Sequence, residues 1–193
     1  VFGDVLSRLM SKNGFKVTKE YYINDLGNQI ENLFQTVKIH IENNVNNTSK
    51  ALKDDMYLGN YLKEIASQLI KENIDLSNKT QVKESIIEKI LDLIKEDLRK
   101  LGIVFDSFIS EKSIHDQGIL DKVLVCLNKK NLIYEGILEA PKGKKDVNWK
   151  PEKQLIFKSS NFGDSLDRAI KKNNGEWTYF ASDIAYHHNK VER

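Results

Sequence analysis

Three patterns in the 193 residues predict an α/β domain with a mostly helical middle and a small antiparallel hairpin. A helix–strand–helix alternation opens the chain. Helical periodicity broken by polar loops fills the middle, and two short β-rich runs flank a Lys- and Gly-rich connection between Pro141 and Pro151.

Val1, Val5, Leu6, Leu9 and Met10 recur at helical spacing, and Asn13-Gly14 supplies a stop. Phe15, Val17 and the run to Ile23 read as a strand, which Asn24-Asp25-Leu26-Gly27 closes as a turn. Leu26, Ile30, Leu33, Phe34, Val37 and Ile41 then mark one face of a helix, and this order of elements favours parallel strands. Glu42 to Lys50 has almost nothing to bury and reads as a polar loop. Helical spacing resumes at Tyr61, Leu62, Ile65, Ala66, Leu69 and Ile70, and breaks over Asn73 to Thr80. It returns most clearly in Val82, Ile86, Ile90, Leu93, Ile94 and Leu98, with Gly102 as the stop. A further helix is predicted over Asp121 to Asn131, with Val123, Leu124 and Leu127 inward. Ile133 to Leu138 and Gln154 to Lys158 read as the two strands of the hairpin, joined by a long exposed loop. Trp177 to Phe180 gives a last strand signal, and Ser182 is expected to cap the final helix.

Composition bounds the function. A formal net charge of +2, with 40% hydrophobic and 30% charged residues, excludes a disordered chain, a collagen-like repeat and a strongly basic DNA-coating protein, though not a local basic patch. No apolar run approaches the about 20 residues of a membrane span, and no charged-then-apolar signal layout opens the chain. One cysteine, Cys126, excludes an internal disulfide and fits a reducing cytoplasm; its apolar neighbours read as core rather than nucleophile. The chain opens on Val1-Phe2-Gly3-Asp4 without an initiator Met and closes on a helical pattern, and is expected to be part of a longer polypeptide.

Common catalytic motifs do not occur. There is no G-x-x-x-x-G-K-[ST] loop, no G-x-G-x-x-G after a strand, no H-E-x-x-H and no cysteine cluster. His187 and His188 are adjacent, so they face different ways on a helix and cannot share a metal as an i, i+4 pair can; no metal site is expected. Two strand-to-helix junctions carry more. Asp25, Gly27 and Gln29 place an acid, a glycine and an amide at alternate positions, where small ligands lie in an open sheet. Gly27 permits close backbone approach, and Gln29 can donate and accept hydrogen bonds. Plain turn chemistry accounts for the same residues. In Thr178-Tyr179-Phe180-Ala181-Ser182-Asp183, a phenol and a carboxylate stand four residues apart. That carboxylate could take a guanidinium through two parallel charge-assisted hydrogen bonds. It could equally be an acid meeting the helix dipole, worth ~0.3–1 kcal/mol.

Taken together, these stretches resemble the bacterial arginyl-tRNA synthetases, a family of class I aminoacyl-tRNA synthetases. Gly3-Asp4-Val5-Leu6 with Gly14-Phe15-Lys16-Val17 resembles the helix and strand that follow the family's HIGH signature. Glu20-Tyr21-Tyr22-Ile23-Asn24-Asp25-Leu26-Gly27-Asn28-Gln29-Ile30 is similar to its E-Y-Y-x-N-D-x-G-x-Q-I segment. Gly59-Asn60-Tyr61-Leu62 with Ile65-Ala66 resembles G-D-Y-L-x-x-I-A. Phe105-Asp106-Ser107-Phe108 with Ser110-Glu111-Lys112-Ser113 resembles F-D-x-[WF]-x-S-E-x-S. Gly163-Asp164 with Asp167-Arg168 is similar to G-D-x-x-D-R, and Thr178-Tyr179 through Asp183-Ile184-Ala185-Tyr186 to T-Y-x-x-x-D-I-A-Y. The anchors fall in the family's order along nearly the whole chain.

The resemblance implies a partial Rossmann-like (HUP-type) class I catalytic fold. On that expectation residues 1–45 belong to its first half, 46–170 to an insertion of helices and then short strands, and 171–193 to the start of its second half. It implies activation of L-arginine by ATP, with Mg as the nucleotide's counter-ion, and transfer to tRNA(Arg) by a cytoplasmic, monomeric parent enzyme. It places Tyr179 and Asp183 on the guanidinium, and Asp25, Gly27 and Gln29 on the amino-acid end of the pocket. HIGH and KMSKS, which handle the ATP phosphates, do not occur in the sequence, and Leu9-Met10-Ser11-Lys12 imitates KMSK only by chance inside the first helix. The chain alone is therefore expected to hold no cofactor, contribute no catalytic residue and not aminoacylate. Two alternatives stay open: a non-catalytic RNA-binding or protein-interaction module using Lys142, Lys144 and Lys145, and a different class I synthetase.

Overall fold

The structure, a computed structural model, describes residues 1–53, 56–139 and 151–193. They form two compact units, Val1–Ile109 and Ser110–Arg193.

In the first unit, α1 (Phe2–Lys12) leads to β1 (Glu20–Ile23), followed by α2 (Asn28–Asn46), α3 (Tyr61–Lys71), α4 (Lys79–Lys100) and β2 (Ser107–Ser110), which pairs with β1. The core is where the apolar stripes of α2, α3 and α4 meet. Leu33, Phe34, Val37 and Ile41 of α2 pack with Leu62, Ile65, Ala66 and Leu69 of α3 and with Val82 and Ile86 of α4. Glu31 ties α2 to α4, accepting from Lys79 at 2.9 Å and Lys83 at 2.7 Å. Both ammonium groups also stand over the Phe34 ring, at 5.4 and 5.7 Å.

Helix stops follow one local pattern. After α1 the Phe15 amide returns to the Met10 carbonyl around left-handed Gly14; after α4 Ile103 returns to Leu98 around Gly102. After α3 the same return, Ile74 to Leu69, runs around Asn73 at φ 53°. Asparagine does this because its short polar side chain tolerates the left-handed region.

The stretch Glu42 to Lys50 departs from the polar loop expected. Helix α2 continues through Asn46, and Asn47 stops it at φ 52°. The Asn43 carboxamide oxygen accepts from Thr48 Oγ1 and the Lys50 amide, both at 2.9 Å, so side-chain hydrogen bonds replace apolar burial as the reason for the last turn.

The second unit opens with α5 (Glu111–Asp116), whose N-cap Ser110 accepts from the Ser113 amide at 2.9 Å. Helix α6 (Ile119–Lys129) follows, then β3 (Ile133–Gly136), β4 (Gln154–Phe157), a 3₁₀ turn (Ser159–Phe162), β5 (Arg168–Lys171) and α7 (Tyr179–Glu192). The hairpin is antiparallel as expected, with Ile133 opposite Phe157 and Gly136 opposite Gln154, and β5 adds a third antiparallel strand to β4. Helix α7 packs on α5, α6 and β5. Its Ala181 and Ala185 are buried, as are Ile156 of β4 and Ile170 of β5.

Trp177 to Phe180 is not a strand. Trp177 makes a single antiparallel bridge to Lys171, and α7 begins at Tyr179. The N-cap is Thr178 rather than Ser182: its hydroxyl accepts from the Ala181 amide and donates to the Ala169 carbonyl at 2.7 Å. A threonine that serves strand and helix at once fixes the helix start four residues before the expected cap.

Candidate functional site

The turn after β1 is shaped by Gly27. Its φ of 86° and ψ of −172° place it in a region that only glycine occupies without strain, and its carbonyl accepts from Ile30 and Glu31 to start α2. Asp25 in this turn is half-buried, and Gln29 in the first turn of α2 is exposed. Gln29 also lines a cleft of about 260 Å³ with Tyr21, Tyr22, Tyr57, Tyr61 and Ile90. Asp25 and Gly27 do not line it. Of the three residues expected there, then, the structure puts one amide against a tyrosine-rich wall and two in the turn that aims it.

Behind the turn, β1 and β2 are locked by aromatic rings. Tyr21 lies 5.3 Å from Phe105 and 5.5 Å from Phe108, and Ser107 donates to Glu20 at 3.2 Å. Asp106 accepts from the Lys19 amide at 2.6 Å. Asp4 of α1 takes Arg8 Nε at 2.7 Å and Lys19 Nζ at 3.0 Å. The Lys19 hydrogen bond, with Arg8 beside it, holds the Asp4 carboxyl below the usual aspartate value. These conspicuous acids are thus committed to framework.

The same holds for the Gly163–Arg168 turn. Gly163 at φ 95° ends the 3₁₀ turn, and Arg168 donates to Asp164 through Nε at 2.7 Å and Nη2 at 2.9 Å. That pair holds the Asp164 carboxyl at about 2. Asp167 accepts from the Ser160 hydroxyl and amide and from Tyr134 Oη, which lowers its own proton affinity; burial and this carboxylate push the Tyr134 phenol up. The motif is a staple between β5 and the elements before it.

Tyr179 and Asp183 differ from these. They stand one turn apart on the outer face of α7, where residues i and i+4 are neighbours. Tyr179 is 63% exposed and Asp183 is exposed, and among the described residues neither has a hydrogen-bond or ion-pair partner. An open carboxylate beside an open phenol can take a flat cation by a bidentate ionic contact plus one further hydrogen bond or ring contact. The carboxylate sits inside the second turn of α7, not at the strand–helix junction where the sequence placed it. Below this face, buried Ser182 lies 2.9 Å from His115 Nε2 of α5. Sequence inspection missed this pair and the Thr178 clamp, although a threonine directly before a helical run is an N-cap signal.

Cys126 departs from the core position expected of it. His187 is exposed beside the Tyr186 ring, His188 faces Glu192 at 3.5 Å, and Cys126 is half-buried. Among the described residues no three His, Cys, Asp or Glu side chains converge as metal ligands, and no helix is long and apolar enough to cross a membrane. Lys142, Lys144 and Lys145, with most of their loop, lie outside the described residues.

The whole chain matches known proteins. The family model described as "tRNA synthetases class I (R), catalytic domain" matches residues 1–193. The chain is 43% identical over 197 residues to the arginine–tRNA ligase of Wolbachia pipientis wMel, covering all of this chain and 34% of that protein. It is 43% identical over 201 residues to that of Rickettsia typhi, again covering all of this chain and 34% of the relative. It thus spans about a third of the length of the curated relatives it matches. Among solved structures, the arginyl-tRNA synthetase described from Campylobacter jejuni superposes with a TM-score of 0.80 at 31% identity, over 100% of this chain and 40% of that one. The Thermus thermophilus enzyme, at 20% identity and a TM-score of 0.57 over 96% of this chain and 31% of that one, shares the fold. With its mixed helices and strands and small antiparallel sheet, the chain belongs to the family of class I (R) tRNA synthetase catalytic domains.

Proposed function

We propose that the chain is part of an arginine–tRNA ligase that activates L-arginine with ATP to arginyl-adenylate and transfers it to tRNA(Arg). Tyr179 and Asp183 would receive the guanidinium, while Asp25, Gly27 and Gln29 would shape the amino-acid end of the pocket. The observation that carries this reading is the exposed, unpaired phenol–carboxylate pair on α7 within a family of class I (R) catalytic domains. Residues 1–45 and 171–193 would belong to the two halves of the nucleotide-binding fold, with 46–170 inserted between them. The parent enzyme would be monomeric and cytoplasmic.

Magnesium would arrive with the nucleotide as the counter-ion of its phosphates. The described residues offer no cluster of metal ligands, and neither HIGH nor KMSKS occurs in the sequence, so no step of adenylate formation is assigned to a side chain of this chain. Its contribution is recognition. In a closed pocket Asp183 balances the substrate's fixed positive charge, and a buried charge stripped of its partner costs about 3–5 kcal/mol. Asp183→Asn in the full-length ligase should therefore lower kcat/KM for arginine by about 10²–10⁴-fold in tRNA-dependent pyrophosphate exchange, with KM for ATP nearly unchanged. Unaltered arginine kinetics would remove the assignment.

A further inference from the structure

From the packing of α7 on α5, we infer that His115 is a positioning residue for the arginine pocket: its hydrogen bond to Ser182 sets the rotation of α7 and so the aim of Tyr179 and Asp183. The inference rests on the reading of α7 as the guanidinium-binding helix. His115 Nε2 and Ser182 Oγ lie 2.9 Å apart, and the imidazole tautomer decides which of them donates. Ser182 is 4% exposed and directly precedes Asp183, so the contact is made on the inner face of the same turn whose outer face carries the carboxylate.

Ala181, Ala185 and Tyr186 share that inner face and are buried. The alanines offer only a methyl group each against sliding and rotation, which leaves the Tyr186 ring and the Ser182 contact to oppose them. A directional hydrogen bond between side chains of two helices opposes both. A serine inside a helix usually bonds back to the carbonyl one turn earlier; here its oxygen faces α5 instead. The first turn is already fixed by Thr178, which donates to Ala169 and accepts from Ala181. Thr178 thus pins the start of α7 and His115 pins its second turn, leaving Tyr179 and Asp183 on a helix held at two points. The short helix α5 is set in turn by its Ser110 cap and by buried Ile114.

A positioning residue of this kind should alter affinity for arginine and leave nucleotide use alone. In the full-length ligase, Ser182→Ala and His115→Ala should each raise KM for arginine about tenfold, the scale of one lost hydrogen bond, with KM for ATP unchanged. The double variant should be no worse than either single one, because both remove the same bond. His115→Gln, whose amide reaches a similar position, should recover most of the loss. Asp183→Asn is the control for the reading beneath. If it abolishes arginine use while Ser182→Ala and His115→Ala leave KM for arginine at the native value, the guanidinium site stands and the positioning role falls. If Asp183→Asn is itself silent, the site fails first. A uniform loss in all kinetic parameters with a lowered Tm, additive between the two positions and not rescued by glutamine, would make the pair ordinary packing and overturn the inference. Should His115→Ala fail to fold, Ser182→Ala, which removes one oxygen, decides alone.

Discussion

Replacing Glu31 by glutamine should cost the chain about 1 kcal/mol at neutral pH and almost nothing near pH 2. The Glu31 carboxyl is lowered from 4.5 to about 2 by hydrogen bonds, chiefly from Lys83 and then from Gln35 and Lys79. The interval corresponds to ~3 kcal/mol at most. Because the side chain is 36% exposed, solvent screening reduces that ceiling to about 1 kcal/mol, the upper range of measured surface pairs. The sign follows from linkage. A carboxyl whose folded value lies below its unfolded one contributes fully above pH 4.5, and the contribution disappears as pH falls through about 2. Urea midpoints of the native chain and Glu31→Gln, taken from pH 7 down to pH 2.5, should converge at the acid end. Adding Lys83→Met closes a double-mutant cycle whose coupling energy isolates the ion pair, since the contact of the Lys83 ammonium with Phe34 is lost equally with or without Glu31. Equal midpoints at pH 7, or a gap that persists unchanged at pH 2.5, would refute the claim that charge-assisted bonds at Glu31 join α2 to α4.

Two further substitutions test packing and capping. Leu69→Ala removes a side chain with 0% exposure from the centre of the three-helix core, and should cost about 2–5 kcal/mol in urea unfolding with the denaturant slope unchanged. Thr178→Ala should cost about 1 kcal/mol and speed amide exchange at Ala181 and Ser182 without affecting exchange in α3, because it removes both the cap of α7 and its tie to β5.

What the sequence displayed best was whatever its apolar spacing wrote in full. The stripes through Leu33 to Ile41, Leu62 to Leu69 and Val82 to Ile86 meet in one core, as their period requires. Elements held by polar groups were harder to see. The last turn of α2 rests on the Asn43 side chain, and α5 is six residues long with a serine cap, so neither displays a stripe. Strand β5, Arg168-Ala169-Ile170-Lys171, has two charged ends and only Ile170 fully buried, and its place is decided by β4. Trp177 to Phe180 has strand-forming residues, yet Thr178 turns the chain into a helix; a cap overrode propensity. Residue types and spacing singled out Tyr179 and Asp183, which the structure leaves exposed on α7. The His115–Ser182 bond spans 67 positions and joins residues of no unusual type, so only folding brings it into view.

The helix stops have a bearing on how this chain is assembled. Each return bond, from Phe15 to Met10, Ile74 to Leu69 and Ile103 to Leu98, closes within six consecutive residues and needs no distant neighbour. Helices delimited in this way can reach their final length before they collide, so the slow search is left with docking pieces already cut to size rather than deciding where each should finish.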